Sequence, residues 1–241
     1  MVGLGTIVNT VGILLGGVLG LLCGGLLKER HQETLSRTCG VCVLFIGIGG
    51  ALEGMMALEG NALVSGKAML IVVTLALGGL IGELLNIEGG FERFGQWLKI
   101  RTGNARDQRF VEGFVTASLT VCIGAMAVVG ALQDGLEGDY TTLAIKAVLD
   151  LVIILVMTCS MGKGCIFSAI PVAALQGGIT CLARLVKPLM TQAALGNLSM
   201  IGSILIFCVG INLVWGKRIR VANLLPAIVL AVTAAFLPIA W

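Results

Sequence analysis

Eight apolar runs divide this chain, at residues 4–27, 39–58, 67–86, 111–133, 141–161, 164–183, 196–215 and 222–240. Wound as a helix, about 20 such residues cross the roughly 30 Å of hydrocarbon in a bilayer. No water reaches backbone N–H and C=O groups in that layer, so only helices or closed β-barrels can span it. A barrel would show short segments of strict alternation, whereas these runs are continuous. The expected fold is therefore all-α: a polytopic integral membrane protein with about eight transmembrane helices. Composition agrees, with 57% of residues hydrophobic, 12% charged and a mean hydropathy of +1.03. A soluble domain carries about twice that charged fraction. No Pro- or Ser-rich linker interrupts the runs, so residues 1–241 read as one transmembrane domain. The first run has no basic residue before it and exceeds the apolar region of a secretory signal, so it is expected to remain in the mature protein.

The charges orient the helices. With the N-terminus outside, twelve of the sixteen basic residues fall in inner loops: Lys28, Arg30, Arg37, Arg93, Lys99, Arg101, Arg106, Arg109, Lys163, Lys217, Arg218 and Arg220. The loop with Asp134, Glu137 and Asp139 is acidic and would lie outside. The positive-inside rule thus places both termini outside, with Arg184 and Lys187 running against it. The longest inner loop, residues 87–110, repeats Ile87, Phe91, Phe94 and Leu98 at helical spacing, with Glu88, Glu92, Arg93, Gln96 and Lys99 elsewhere. That pattern predicts a cytoplasmic amphipathic helix on the membrane surface, followed by a basic stretch.

Within the first run, GILLGGVLGLLCGG places Gly12, Gly16, Gly20 and Gly24 in one stripe, with Asn9 on the same face. Small-xxx-small ladders let helix backbones approach closely, within one chain or between two copies, so homo-oligomers through glycine-rich faces are conceivable. Most of the eight cysteines lie inside apolar runs and read as packing residues. Cys39 and Cys42 form a CxxC near His31, without the second ligand pair that a zinc site would need.

Ionisable residues inside hydrocarbon usually have partners and often mark ion paths. Asp150 falls near the middle of the fifth run, and Lys146 lies one turn away at i, i+4, where the two can pair. Two readings stay open: a structural neutralised pair, or a carboxylate that binds a cation or proton while Lys146 competes for it. Asn9, Thr116, Ser118, Thr120, Ser168, Gln176, Thr180, Asn212 and Asn223 are the uncharged polar groups in or near apolar runs. Of these, Asn9, Ser118, Gln176, Asn212 and Asn223 are the candidate lining residues beside Asp150 and Lys146. Pro171, followed by Gly177 and Gly178, marks the sixth helix for a kink or an interruption. Asn212 and Asn223 flank a short basic turn across which they could meet.

Weak internal similarity suggests repeats: IGIGGALEG at 46–54 against 123–135 would pair helices 2 and 3 with 4 and 5, whereas EGGFERFGQWLK at 88–99 against 176–187 would relate two three-helix units, which would then be inverted repeats. The motifs GLGTIVNT, FIGIGGALEG, IGELLNIE, SLTVCIGAMAVVGALQDG, IKAVLD, QGGIT and GINLVWGKRIRVANLLPA occur in order along nearly the whole chain. Together they resemble the YqgA/YdfK family of bacterial inner-membrane proteins. The resemblance implies a multi-pass inner-membrane protein, from a group suspected of transport but without an agreed substrate or catalytic residue. Many relatives are expected to carry proline after the IG of the fourth motif. Here Ala125 follows Gly124, which removes the reason to expect a kink there.

The residues point to a transporter or channel for a small ion or solute, with a cation first and proton coupling second. The alternative is a non-catalytic scaffold or assembly protein. An intramembrane enzyme is disfavoured, since His31 is the only histidine and neither HExxH nor GxSxG is present. No cofactor is expected, and the absence of a P-loop argues against built-in ATP hydrolysis. The expected partners are the lipid bilayer and a small ion or solute, with no nucleic acid.

Overall fold

The computed structural model describes residues 2–59 and 62–237. Helices dominate it: α1 (Leu4–Gly24), α2 (Glu29–Met55), α3 (Ala68–Leu85), α4 (Ile87–Arg101), α5 (Phe110–Cys122), α6 (Ala125–Glu137), α7 (Thr141–Met161), α8 (Ala169–Cys181), the short α9 (Ala183–Val186), α10 (Gln192–Trp215) and α11 (Pro226–Ala234). A small antiparallel hairpin, β1 (Met56–Glu59) and β2 (Ala62–Ser65), joins α2 to α3 with Met56 opposite Ser65. Single 3₁₀ stretches, Lys163–Ser168 and Val221–Leu224, lead into α8 and α11.

Among the described residues, six helices are long and apolar enough to cross a membrane, and the bent α5–α6 pair makes a seventh when counted as one span. Helix direction requires that count. Moving down α1, Gly12, Gly16, Gly20 and Gly24 meet Ala147, Leu151, Leu155 and Cys159 in the same order, so α1 and α7 run parallel. With only α2 and α3 crossing between them they would be antiparallel. The α5–α6 pair therefore crosses once. The last expected span, 222–240, is the shorter apolar helix Val221–Ala234, and its end at 238–241 lies outside the described residues.

Early helices pack on late ones. α1 lies on α7, α2 runs antiparallel along α10 with Gly47 on Phe207 and Gly54 on Met200, and α3 lies on α11 with Gly78 on Ala227. α7 is central, touching α1, α2, α5, α6 and the 163–168 turn. Ile13, Leu143, Ile154, Met157, Phe110 and Phe114 are completely buried around it. Val72, Leu80, Leu84 and Val148 point outward, as lipid-facing side chains do.

Four departures from the sequence reading have local causes. α2 begins at Glu29, ten residues before its apolar run. ERHQETLSR continues the helix beyond the membrane, stitched by the Arg37–Glu33 pair at i, i+4. The helix predicted at 111–133 is broken instead: Ile123 is extended, Gly124 has φ +150° and ψ 147°, and the axes of α5 and α6 meet at 62°. Only glycine adopts that backbone readily, so Gly124 breaks the helix where no proline is present. The sixth helix, by contrast, runs without interruption through Pro171 and Gly177–Gly178. Its entry is 3₁₀, and Pro171 sits in the first turn of α8, where its missing N–H takes no bond away. Finally, Asp134 is not a loop acid. It is fully buried and accepts from the backbone N–H of Gly3 (3.1 Å) and Gly5 (3.0 Å), capping α1.

The glycine ladder is a contact surface inside one chain. A Cβ on Gly12 would lie 2.9 Å from the Ala147 carbonyl oxygen, one on Gly20 2.6 Å from that of Leu155, and one on Gly24 3.1 Å from Cys159 Cα. The homo-oligomer contact envisaged on this stripe is therefore not available, because α7 already covers it.

Candidate functional site

One group of buried polar residues gathers where α1, α5, α7 and α8 approach one another. Lys146 and Asp150 are 7% and 3% exposed, and Lys146 Nζ lies 2.5 Å from Asp150 Oδ2. The same ammonium donates to the Val121 carbonyl at 2.9 Å. Val121 lies in the last turn of α5, whose carbonyls are freed by the break at Gly124, so the cation sits at the negative end of a half-helix. One residue thus answers two local needs: a buried carboxylate wants a cation, and a helix C-terminus wants a donor.

Two amides stand beside the pair. Asn9, completely buried on α1, adjoins the Asp150 carboxylate and donates through Nδ2 to Gln176 Oε1 of α8 at 3.2 Å. Facing amides can exchange two hydrogen bonds. Here one is made, leaving Asn9 Oδ1 and Gln176 Nε2 buried without partners among the described residues. Ser118 Oγ, one turn before Val121 on α5, is likewise buried and unpartnered. An unsatisfied buried polar group costs about 1–3 kcal/mol, so several in one place mark unused binding capacity. Farther along α1, Thr6 Oγ1 lies 3.4 Å from Thr180 Oγ1, which also reaches the Ala131 carbonyl at 3.1 Å. Asp134 completes this polar seam at the far end.

A cavity of about 860 Å³ opens at the opposite end of the bundle, the end that carries the basic loops. α4 forms one wall with Glu88, Glu92, Arg93 and Gln96; α5 supplies Thr116 and Leu119; α10 supplies Val209 and Asn212. Along α5 its lining ends at Leu119, two positions before Val121. α4 is held there by Gly95 and Leu98 against α5, with Phe94 edge-on to Phe114 at 5.8 Å, while Trp97 and Ile100 stay exposed. The predicted surface helix is thus also a cavity wall. At the mouth, Lys217 Nζ binds Glu88 at 2.7 Å and Glu92 at 2.5 Å. Burial alone would lower the Lys217 pKa, but its hydrogen bonds to Glu88 and Glu92 and the charge of those carboxylates outweigh it and raise the value.

The seven candidate lining residues separate into two groups. Asn9, Lys146, Asp150 and Gln176 come together, with Ser118 one turn away. Asn212 and Asn223 do not join them, nor do they meet each other. Asn212 closes its own turn, donating to the Ile219 carbonyl at 2.7 Å and accepting from Arg218 and Ile219 N–H. Asn223 donates to Glu83 at 2.6 Å and accepts from Glu88 N at 2.8 Å; Glu83 also pairs with Arg220. Asn212 lines the cavity, and Asn223 ties the 221–224 turn to Glu83 and Glu88. The sequence reading missed Asp134, Glu88 and Thr6, whose partners lie more than 120 residues away. Cys39 is buried and Cys42 exposed, and among the described residues no three His, Cys, Asp or Glu side chains cluster as a metal site would require.

Residues 4–236 match the family described as "Protein of unknown function (DUF554)", and the chain belongs to it. It is 28% identical over 232 residues to the "Uncharacterized membrane protein YdfK" of Bacillus subtilis (strain 168), covering 96% of this chain and 95% of that one. It is also 28% identical over 244 residues to the "Uncharacterized protein YqgA" of Escherichia coli (strain K12), covering 99% and 98%. No solved structure matches it.

Proposed function

We propose that this DUF554 member is a transporter for a small cation in the bacterial inner membrane, with both termini outside and the 860 Å³ cavity open to the cytoplasm. One observation carries this reading. The cavity's lining follows α5 as far as Leu119, two residues before Val121, whose carbonyl takes the Lys146 ammonium paired with Asp150, and Asn9 and Gln176 keep unpartnered buried atoms next to that pair. Discontinuous helices whose ends face charged groups in the membrane are a common way to build ion sites in transporters. A helix that merely packs has no need of such a break. The weak repeats in the sequence accord with the same architecture.

Purified protein in liposomes, loaded with tracer sodium or rubidium, tests the proposal. Wild type is expected to move one of these cations, and Asp150→Asn to lose that flux. Equal flux in both would remove Asp150 from the mechanism. The completeness of the Lys146–Asp150 pair favours a second reading, a scaffold in which the pair only clamps helices. A stoichiometric partner on co-purification, with no flux for either ion, would decide for it.

A further inference from the structure

The cavity at the basic end is larger, and more mixed in character, than a monovalent ion requires. Its volume of about 860 Å³ falls in the range of about 300–1,000 Å³ that organic ligands fill, whereas one water takes about 30 Å³ of liquid. Along α5, Glu112, Val115, Thr116 and Leu119 recur at i, i+3, i+4 and i+7, so one helix face runs from an exposed carboxylate to buried apolar side chains. Val209 and Leu213 of α10 extend the apolar part. α4 brings Arg93 and Gln96 to the same cavity, because Gly95 seats that helix on Val111 and Phe114 of α5.

The charges in this wall are unevenly committed. Glu88 and Glu92 share Lys217, at 2.7 and 2.5 Å. Arg93 uses only Nε, which donates to the Gly89 carbonyl at 3.1 Å and leaves both terminal nitrogens of the guanidinium without partners among the described residues. Glu112 makes no ion pair there either. A free carboxylate and a free guanidinium thus line one cavity from two helices in contact, without neutralising each other, above an apolar interior.

We propose that this cavity binds a zwitterionic amino acid with an apolar side chain: its ammonium on Glu112, its carboxylate on the Arg93 guanidinium, and its side chain against Val115, Leu119, Val209 and Leu213. A guanidinium matches a carboxylate with two parallel N–H bonds, and an ammonium offers three donors to a carboxylate. A purely cationic ligand would leave Arg93 unmatched, and a purely anionic one would leave Glu112 unmatched. The assignment goes beyond the transport reading and does not rest on it, since binding is an equilibrium and needs no flux.

Isothermal titration calorimetry on the full chain in nanodiscs, where both faces are accessible, tests it with L-leucine, L-methionine and L-phenylalanine. At least one is expected to bind saturably. For leucine, three analogues each remove one feature: leucinamide the carboxylate, 4-methylpentanoate the ammonium and glycine the apolar body. Each should bind at least tenfold more weakly than the parent. Arg93→Gln should abolish the advantage of leucine over leucinamide, and Glu112→Gln its advantage over 4-methylpentanoate. Both residues are exposed, so the variants are expected to fold; should one fail to, the analogue series on wild type decides alone. Binding of none of the three amino acids would overturn the proposal. So would leucinamide or 4-methylpentanoate binding as tightly as leucine, or leucine binding unchanged in both variants. Tracer sodium or rubidium flux is scored separately: binding without flux leaves this site standing and removes transport, and flux without binding does the reverse.

Discussion

Replacing Gly16 by alanine adds one methyl group where α1 meets α7. An ideal Cβ there would stand 3.0 Å from both Leu151 Cα and its carbonyl carbon, and closer still to the carbonyl oxygen. These are backbone atoms of a packed helix and cannot rotate away, so the helices must separate along the whole ladder. Overpacking of this kind costs about 1–3 kcal/mol, partly offset by alanine's better helix propensity of about 1 kcal/mol. Gly178 of α8 is the matched control, because a Cβ there meets nothing within 4 Å. Gly178→Ala therefore keeps the propensity gain without the clash. A chain of this size shifts by roughly 2–4 °C per kcal/mol, so thermal unfolding in detergent should lower the midpoint of Gly16→Ala by several degrees and leave Gly178→Ala at or above wild type. If the two variants melt together, the claim that α7 rests on the ladder is refuted.

Three further outcomes follow from the same geometry. Lys146→Met strands a buried carboxylate and should lower stability by about 3–5 kcal/mol, while Lys146→Met/Asp150→Leu should recover most of it; equal losses by thermal melting would show that the pair is not the coupled unit described. Asp134→Ala removes the acceptor for Gly3 and Gly5 and should cost about 0.5–2 kcal/mol, with Asp134→Asn recovering part, and faster hydrogen exchange confined to the first turn of α1 is the direct readout. Because the Lys217 pKa is raised in the fold, its contribution is complete below the ordinary lysine value of 10.5 and is lost as pH climbs through the raised one. The melting gap between wild type and Lys217→Met should thus be flat from neutral to mildly alkaline pH and close in strong alkali; a gap that widens there would contradict the Glu88–Lys217–Glu92 network.

What could be read from the residues in advance was what depends on neighbours in the chain. α7 spans the predicted 141–161, since nothing in that run competes with a helix, and Lys146 and Asp150 pair because i, i+4 spacing leaves little alternative. The ladder from Gly12 to Gly24 announced a close approach without naming α7 as the partner. The break at Gly124 was invisible because one glycine among 35 carries no mark of its torsion angles. Pro171 misled in the opposite direction, as the 3₁₀ entry shifts it into a first turn where proline is harmless. Asp134 and Glu88 read as loop and surface acids, and only contacts across more than 120 residues bury them. Asn212 and Asn223 were legible as polar groups near membrane ends, but their task of holding turns depends on atoms that folding brings together.

The central claim is that Asp150 takes part in moving a small cation through the bundle. An experimental structure of the full chain in thallium(I) tests it most directly, because the ion declares itself by anomalous scattering. The account predicts a peak beside the Asp150 carboxylate. No peak there, in thallium concentrations that support flux, would contradict it.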